Sequence, residues 1–273
     1  MPELPEVETV RQGLEKILFK GACIKRVQLL RGDLRRRVQP SQLQVLEGQT
    51  ITGLRRRAKY LLFDTQDYVL INHLGMTGSW RVAAKGTEQK HDHFYLWLNN
   101  GLRLAFNDPR RFGLLQVTKQ GEEMQDLSLS SLGPEPLDAK MFNADWIMSR
   151  TRKRQTPLKV WLMDQKNVVG VGNIYASEAL FMAGLRPERK AARITKLESQ
   201  QLVRSVREVL RAAIKQGGST IKDFRQAEGL SGYFQNQLKV YGRKAEPCRQ
   251  CQSPIRSKNL GGRSTYWCSS CQK

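Results

Sequence analysis

The fold of the first half of the chain is decided by residues 93–106, which read HFYLWLNNGLRLAF. Two apolar runs, His93–Leu98 and Leu102–Phe106, flank Asn99-Asn100-Gly101. An Asn-Gly pair between such runs is the strongest short signal for a tight hairpin turn. We therefore predict two antiparallel strands joined at this turn.

Similar short runs surround the hairpin. They extend from about Ala22 to Thr118 and include Tyr60–Thr65 and Tyr68–Leu74. Many short strands at such spacing are typical of a β-sandwich or a β-barrel. This part of the chain is therefore predicted to be an antiparallel β-structure of one of these two kinds.

Helical patterns lie on both sides of the strand region. Residues 2–19 carry apolar side chains at helical spacing, which predicts one amphipathic helix. Beyond a linker at 132–136, Thr195 and Glu198 form a capping box ahead of a long apolar face, and Gly217-Gly218 ends that helix. The chain is thus predicted to be an α+β protein in three parts, 1–132, 133–238 and 239–273.

The charge of the chain points to a polyanionic partner. Its 273 residues include 46 Lys and Arg against 25 Asp and Glu, a net charge of +21. Nucleic acid rewards such a charge because each neutralised phosphate releases counterions, and an anionic membrane surface is the alternative. There is no apolar run near about 20 residues and no signal peptide, so we predict a soluble, cytoplasmic protein. We also expect it to be a monomer.

Two CxxC pairs near the C-terminus carry a metal signal. Cys248 and Cys251 are separated from Cys268 and Cys271 by a spacing that can place four thiolates around one Zn²⁺, with a β-hairpin between the pairs. Four cysteines leave no open position for catalysis, which favours a structural zinc over a redox pair or a catalytic zinc. Arg263 follows two glycines at the predicted hairpin tip, where it either contacts phosphate or is merely solvated.

The N-terminus carries a candidate nucleophile. If Met1 is removed, Pro2 presents a secondary amine whose ordinary pKa is about 7.7–8.0. Attack of this amine on a sugar aldehyde carbon gives an iminium, an electron sink for elimination, with Glu3 and Glu6 as candidate acids or bases. The alternative is a helix start, with proline in the first turn and glutamate near the positive end of the dipole.

Several motifs follow in a fixed order. They are Pro2-Glu3-Leu4-Pro5-Glu6-Val7-Glu8-Thr9, Lys59-Tyr60-Leu61-Leu62, His73-Leu74-Gly75-Met76, Lys90-His91-Asp92-His93, Asp108-Pro109-Arg110-Arg111-Phe112-Gly113, Gly170-Val171-Gly172-Asn173-Ile174-Tyr175 and the terminal cysteines. With this series the chain resembles the bacterial formamidopyrimidine-DNA glycosylases along essentially its whole length. The resemblance implies a leading helix with a β-sandwich, a helix–two-turn–helix domain and a zinc-finger hairpin.

The resemblance also implies an activity, namely excision of 8-oxoguanine and ring-opened purines followed by β- and δ-elimination. Pro2 would attack C1′, Glu3 would help to open the deoxyribose ring, and Glu6 would orient Pro2. Lys59 would assist elimination, although without this context it is simply an exposed strand lysine. Arg263 would hold phosphate in the last elimination.

Further roles concern the DNA duplex. The resemblance implies that Met76, Arg110 and Phe112 fill the space left by the everted nucleotide, whereas apolar side chains of this kind are usually core residues. His91 would contact the DNA backbone. A metal site at His91-Asp92-His93 is the alternative for that motif.

The second half of the chain would contribute more DNA contacts. Arg154, Lys159 and Asn173 would bind phosphate, and Ser219 and Thr220 would belong to a loop that closes over the lesion. Two other functions stay open. One is an endonuclease VIII-type glycosylase for oxidised pyrimidines, and the other is a non-catalytic zinc-finger DNA-binding protein.

Overall fold

The computed structural model describes residues 1–18, 21–218 and 237–273. These fall into two compact units, one of residues 1–130 with 217 and 218, the other of residues 131–216 and 237–273. The three-part division expected from the sequence stays a prediction, and Ser219 and Thr220 lie outside the described residues. In the described part of the chain, no helix combines the length and the apolar character that crossing a membrane requires.

The first unit is a β-sandwich with a leading helix. Its helices are α1 (Leu4–Ile17) and α2 (Pro40–Gln44), and its strands are β1 (Ile24–Leu29), β2 (Ile51–Arg57), β3 (Tyr60–Thr65), β4 (Tyr68–His73), β5 (Ser79–Val82), β6 (Asp92–Leu98), β7 (Arg103–Asn107) and β8 (Leu114–Lys119). In the described residues these strands form two antiparallel sheets, in the orders β1-β6-β7-β5 and β2-β3-β4-β8.

Trp80 of β5 shows that the two sheets face each other. Its ring packs on Phe63 of β3, with ring centroids 5.2 Å apart, and its Nε1 donates to Asn72 Oδ1 of β4 at 2.9 Å. Asn72 is fully buried and its Nδ2 donates to the Leu114 carbonyl at 3.0 Å. The core therefore lies between two sheets, as in a sandwich, and the barrel alternative is wrong.

The hairpin predicted from residues 93–106 is confirmed. Leu98 N–H donates to the Leu102 carbonyl at 2.8 Å, and Gly101 adopts φ +83°, the left-handed conformation that such a turn needs. The helix predicted over 2–19 is shorter and begins at Leu4. It begins there because Glu3 is its N-cap, in an extended conformation with φ −100° and ψ −172°.

The second unit combines helices with a hairpin. Its elements are α3 (Ala144–Thr151), α4 (Leu158–Met163), α5 (Asn173–Met182), α6 (Lys196–Lys215), β9 (Ile255–Leu260) and β10 (Arg263–Cys268). The predicted capping box of Thr195 and Glu198 starts α6, and the helix ends just before Gly217, whose φ is +75°. The short connection from α4 to α5 matches the expected helix–two-turn–helix region.

A buried carboxylate ties the chain entering the cysteine hairpin to α5. Glu178 is 1% exposed and accepts backbone N–H groups of Lys239, Val240 and Tyr241 at 2.8, 3.0 and 2.8 Å. Burial raises the pKa of Glu178, and these three donors oppose that shift. Two segments that are distant in sequence are thereby fixed in one place.

Candidate functional site

The N-terminal segment is held by a capping box. Glu6 Oε2 accepts the Glu3 N–H at 2.8 Å, and the Glu3 side chain accepts from the Glu6 backbone. Glu3 and Glu6 are each 3% exposed, and Pro2 is buried whereas Met1 is 47% exposed. With Met1 attached, the Pro2 nitrogen belongs to an amide and is not nucleophilic. The structure thus supports the helix-start role of these residues and also fixes Pro2 at the base of α1.

Gly218 approaches the same box. Its φ is +81°, and a Cβ there would lie 3.0 Å from Glu6 Oε1 and 3.2 Å from Glu6 Cγ. Both the backbone conformation and the space beside Glu6 therefore favour glycine at this position. The sequence indicated Gly217-Gly218 only as a helix stop and not as a neighbour of Glu6.

Lys59 lies in a turn and not in a strand. Arg57 and Tyr60 pair across β2 and β3, so that Ala58 and Lys59 form a two-residue connection. Lys59 is nevertheless only 5% exposed. Neither observation fits an ordinary exposed strand lysine, and the proposed role in elimination stays a prediction.

His73 lies among cations near this turn. It is 6% exposed, and its Nδ1 accepts the Gly75 N–H at 2.9 Å. Burial, and then the charges of Arg35 and Lys59, lower the pKa of His73 to about 3. The imidazole is therefore neutral at physiological pH. Arg35 and Lys59 create a positive potential at its position.

Two loops of the first unit adjoin through glycine. Gly75 has φ +66°, and a Cβ on it would lie 2.4 Å from the Phe112 carbonyl carbon and 2.5 Å from Gly113 N. No other residue allows so close an approach of the two backbones. Loop 74–78 and loop 108–113 are consequently neighbours, which brings the segments carrying Met76, Arg110 and Phe112 together.

Asp108 fastens these loops. It is fully buried; Oδ1 accepts from the Thr77 hydroxyl at 2.6 Å and from Arg110 N–H at 3.3 Å, and Oδ2 accepts from Gly113 N–H at 2.7 Å. One carboxylate thus joins the two loops by direct hydrogen bonds. A buried, multiply bonded carboxylate of this kind fixes loop geometry.

The exposed side chains on these loops are not core residues. Phe112 is 46% exposed, Arg110 is exposed, and the Arg110 guanidinium lies 4.9 Å from the centre of the Phe112 ring. Met76 is half-buried. The core interpretation is therefore wrong for Phe112, and the void-filling role of the three residues stays a prediction.

The His91-Asp92-His93 motif does not form a metal site. His93 Nε2 bonds the Asp108 carbonyl at 2.8 Å, and Asp92 is paired with Arg81 at 2.5 Å and accepts from Tyr95 and Asn107. In the described residues, the terminal cysteines are the only group of His, Cys, Asp and Glu with ligand atoms close enough for one ion. His91 is half-buried immediately before β6, where a contact with DNA stays a prediction.

Lys159 differs from the exposed phosphate ligand that we expected. It is 0% exposed, and its Nζ donates to Asn173 Oδ1 at 2.5 Å, to Thr265 Oγ1 at 2.8 Å and to the Ser264 carbonyl at 3.1 Å. A buried ammonium needs such acceptors to offset its lost hydration. Lys159 therefore joins α4, α5 and β10 inside the second unit.

Asn173 and Arg154 occupy different settings. Asn173 is the first residue of α5, and its Nδ2 donates to the Ser264 carbonyl at 3.0 Å and to Tyr241 Oη at 3.4 Å. Arg154 is exposed in the loop before α4. The positive end of a helix suits an anion, and phosphate binding by these two residues stays a prediction.

The four cysteines converge as expected. The Sγ atoms of Cys248 and Cys271 are 3.9 Å apart, those of Cys251 and Cys268 are 3.4 Å apart, and all four lie within 4.8 Å of one another. Tetrahedral Zn–S bonds of about 2.3 Å require sulfur atoms about 3.8 Å apart. The residues fit one zinc ion, and the prediction of a four-cysteine site is confirmed.

The hairpin between the cysteine pairs presents Arg263. Gly261 and Gly262 form its two-residue turn with φ values of +57° and +74°, and Leu260 pairs with Arg263. Arg263 is exposed at the first position of β10. A Cβ at Gly261 would lie 2.9 Å from Val160 Cγ2, so the turn packs closely on α4.

Sequence reasoning missed several residues that fix the local geometry within each of the two units. In the sequence, Asp108 is only one member of the motif at 108–113, and Arg35 is one of three successive arginines. Glu178 lies in an apolar helix. The signal for Glu178 was a lone carboxylate in the hydrophobic stretch 174–181. No comparable local signal distinguishes Asp108 or Arg35 from other charged residues.

Comparison with known proteins agrees with this architecture. Three family models match: the formamidopyrimidine-DNA glycosylase N-terminal domain over residues 1–115, the H2TH domain of the same enzymes over 132–225, and a zinc finger found in FPG and IleRS over 245–273. The formamidopyrimidine-DNA glycosylase of Bdellovibrio bacteriovorus is 50% identical over 273 residues, covering 100% of both chains.

Solved structures are similar over the same length. The MutM (FPG) protein of Thermus thermophilus has a TM-score of 0.88 and 40% identity, covering 99% of this chain and 98% of that one. A variant of Lactococcus lactis FPG, bound to DNA containing Fapy-dG, has a TM-score of 0.90 and 34% identity over 100% of both chains.

Proposed function

Because the chain belongs to the formamidopyrimidine-DNA glycosylase family, we propose that it is a base-excision repair enzyme that removes oxidised purines from duplex DNA and then cleaves the strand. The observation that carries this proposal is the match to the family over the whole chain. The described geometry supports it, since Pro2, Glu3, Glu6 and Lys59 are all held in buried positions in the first unit.

Base removal would begin at Pro2. Once Met1 is gone, the Pro2 amine attacks C1′ and then loses its N–H proton, which restores the nitrogen lone pair. The glycosidic bond breaks, and the electron pair of that bond leaves with the base, which takes up a proton. The C1′–O4′ bond then breaks as O4′ accepts a proton from Glu3, and the nitrogen lone pair forms the C1′=N⁺ bond. Glu6 holds the Glu3 N–H at 2.8 Å and so fixes the acid beside Pro2.

Strand cleavage would follow from the iminium. A base removes a proton from C2′, the C2′=C3′ bond forms, and the 3′-phosphate leaves C3′ with the electrons of its C–O bond. Loss of a C4′ proton similarly expels the 5′-phosphate from C5′, and water releases the sugar fragment from Pro2. Lys59 assists these proton transfers, and Arg263 holds the departing phosphate.

DNA binding would use the positive charge of the chain and its exposed loops. Met76, Arg110 and Phe112 fill the space of the everted nucleotide, at a cost for eversion of a few kcal/mol. His91, Arg154 and Asn173 contact the backbone, while Lys159 orients Asn173 from inside the protein. One Zn²⁺ on the four cysteines stabilises the hairpin that carries Arg263.

Borohydride trapping tests the mechanism. Protein whose intact mass confirms removal of Met1 should form a covalent complex with a duplex containing 8-oxoguanine opposite cytosine, and protein that retains Met1 should not. Pro2→Gly keeps a primary amine and serves as the control for residual lyase activity. Absence of trapping with fully processed protein would overturn the mechanism.

The same preparation separates the other two functions. Faster excision of thymine glycol than of 8-oxoguanine would indicate an endonuclease VIII-type enzyme. Binding that does not depend on a lesion, without any cleavage, would indicate a non-catalytic DNA-binding protein.

A further inference from the structure

The turn that carries Lys59 is held in an uncommon backbone conformation. Ala58 has φ +55° and is 1% exposed. The left-handed region costs a residue with a side chain about 1–2 kcal/mol. Such a conformation persists only when neighbouring groups fix it. The neighbours of Ala58 are therefore informative about what the turn is built to hold.

Arg56 is the neighbour that fixes this turn. Its Nη1 donates to the Ala58 carbonyl at 2.9 Å, and its Nε donates to Glu8 Oε2 at 3.0 Å. The side chains of Arg56 and Glu8 are only 11% and 16% exposed, so the pair is largely shielded from water. A guanidinium offers two such donors in a rigid plane, which a lysine ammonium does not reproduce.

Glu8 anchors the arginine on α1. Its other oxygen, Oε1, accepts from Arg11 Nε at 3.0 Å and from Gln12 Nε2 at 3.1 Å. Glu8 lies four residues after Leu4, where α1 starts, which is about 6 Å along the helix axis. The contacts thus run from the Lys59 turn, through Arg56 and Glu8, to the helix that begins directly after Pro2 and Glu3.

We propose that Arg56 and Glu8 are positioning residues for the lyase step, and that they hold the Lys59 turn in register with the start of α1. This inference rests on the proposed function. Neither residue needs to touch the DNA. Arg56 sets the position of the Ala58 carbonyl and hence of the next residue, Lys59, whereas Glu3 is held separately through its capping box with Glu6.

The two catalytic stages should therefore respond differently. Formation of the iminium depends on Pro2 and Glu3. Arg56 is not part of the capping box that Glu3 forms with Glu6. Proton transfer during elimination depends on Lys59, which follows the residue that Arg56 holds. Loss of the Arg56–Glu8 pair should slow elimination and leave iminium formation nearly unchanged.

The experiment uses the full-length, zinc-loaded protein without Met1 and a duplex with a preformed abasic site. Under single-turnover conditions, borohydride trapping gives the rate of iminium formation, and strand cleavage gives the rate of elimination. Arg56→Lys keeps the charge and loses the two-donor geometry, while Glu8→Gln removes the charge of the anchor. Arg204→Lys, at an exposed position of α6, is the matched control.

Arg56→Lys and Glu8→Gln should each lower the elimination rate about tenfold, because a misplacement of about 1 Å can cost about a hundredfold. The rates of borohydride trapping should change by less than about twofold, because neither substitution alters the capping box that holds Glu3. The double variant should be little worse than either single variant, since one contact chain is broken in all three. Adding Ala58→Gly to Arg56→Lys should recover part of the elimination rate, because glycine adopts φ +55° without strain.

Equal losses in trapping and elimination, or no loss in either, would overturn the positioning role. So would failure of Ala58→Gly to rescue Arg56→Lys, since the role depends on the turn conformation. Absence of trapping with the parent protein would instead overturn the proposed function itself. Thermal unfolding of each variant distinguishes a specific loss of elimination from a general loss of structure.

Discussion

Asp108→Asn is the substitution that the structure makes most informative. Its carboxylate accepts hydrogen bonds from the Thr77 hydroxyl at 2.6 Å, from Arg110 N–H at 3.3 Å and from Gly113 N–H at 2.7 Å. An asparagine must direct its NH₂ group toward one side of this set. Whichever oxygen is replaced, at least one donor then faces another donor inside the protein.

The magnitude follows from those bonds. A hydrogen bond to a charged group contributes about 1.5–3 kcal/mol, and a buried donor left unpaired costs a similar amount. The smaller loss occurs if the amide faces Thr77, because that hydroxyl can rotate and accept instead. We therefore expect the free energy of unfolding to fall by about 2–4 kcal/mol.

The functional consequence should be selective. Loosening loops 74–78 and 108–113 should slow excision of 8-oxoguanine, which requires an intact base to be everted, more than cleavage at a preformed abasic site. Single-turnover rates on the two duplexes, with urea unfolding of the same samples, measure both effects. Thr77→Ser keeps the hydroxyl and is the control. Unchanged stability with an unchanged ratio of the two rates would refute this account of Asp108.

Three other predictions concern separate parts of the molecule. Lys159→Met should lower the free energy of unfolding by about 2–4 kcal/mol, because Asn173, Ser264 and the buried Thr265 lose their common donor. It should leave the salt dependence of DNA binding unchanged, since the ammonium is buried, and a shallower salt slope would contradict this. As a chelator removes zinc, δ-elimination should be lost before imine trapping is lost, because the metal stabilises the hairpin that carries Arg263. One gel measures both the cleavage product and the trapped complex. In the folded protein the pKa of His73 is about 3 instead of about 6.5, so between these pH values the unfolded protein binds a proton at His73 that the folded protein does not bind. The free energy of unfolding should therefore decrease as pH falls from about 6.5 toward 3, by up to about 1.4 kcal/mol per pH unit. Urea unfolding of His73→Gln should show a smaller decrease over that range, and an identical decrease would exclude His73 as its source.

Local signals predicted the elements that depend on neighbours in sequence. Asn99-Asn100-Gly101 specifies its hairpin because glycine supplies the positive φ, and Thr195 with Glu198 starts α6 by bonding groups three residues apart. The cysteine spacing likewise determines the metal site within one short hairpin. Each of these features needs little information from elsewhere in the chain.

The settings of Lys159, Lys59 and Asp108 depend on distant segments and could not be predicted in this way. Lys159 bonds Thr265, 106 residues away, so its burial depends on where β10 packs. Lys59 lies in a turn because β2 extends to Arg57 and β3 begins at Tyr60. The sequence shows only the second of these limits, since its apolar run begins at Tyr60. Asp108 bonds Thr77, 31 residues earlier, and only the close approach at Gly75 makes that possible.

The bond between Trp80 and Asn72 has an evolutionary consequence. It joins the two sheets within the apolar core, and both partners are almost fully buried. Replacing either residue alone leaves a buried polar group without its partner, whereas two apolar residues of suitable volume remove both polar groups and leave only the Leu114 carbonyl without its side-chain donor. These positions should therefore covary among related sequences, with the polar pair kept whole or lost whole, and intermediates that hold only one partner should be rare.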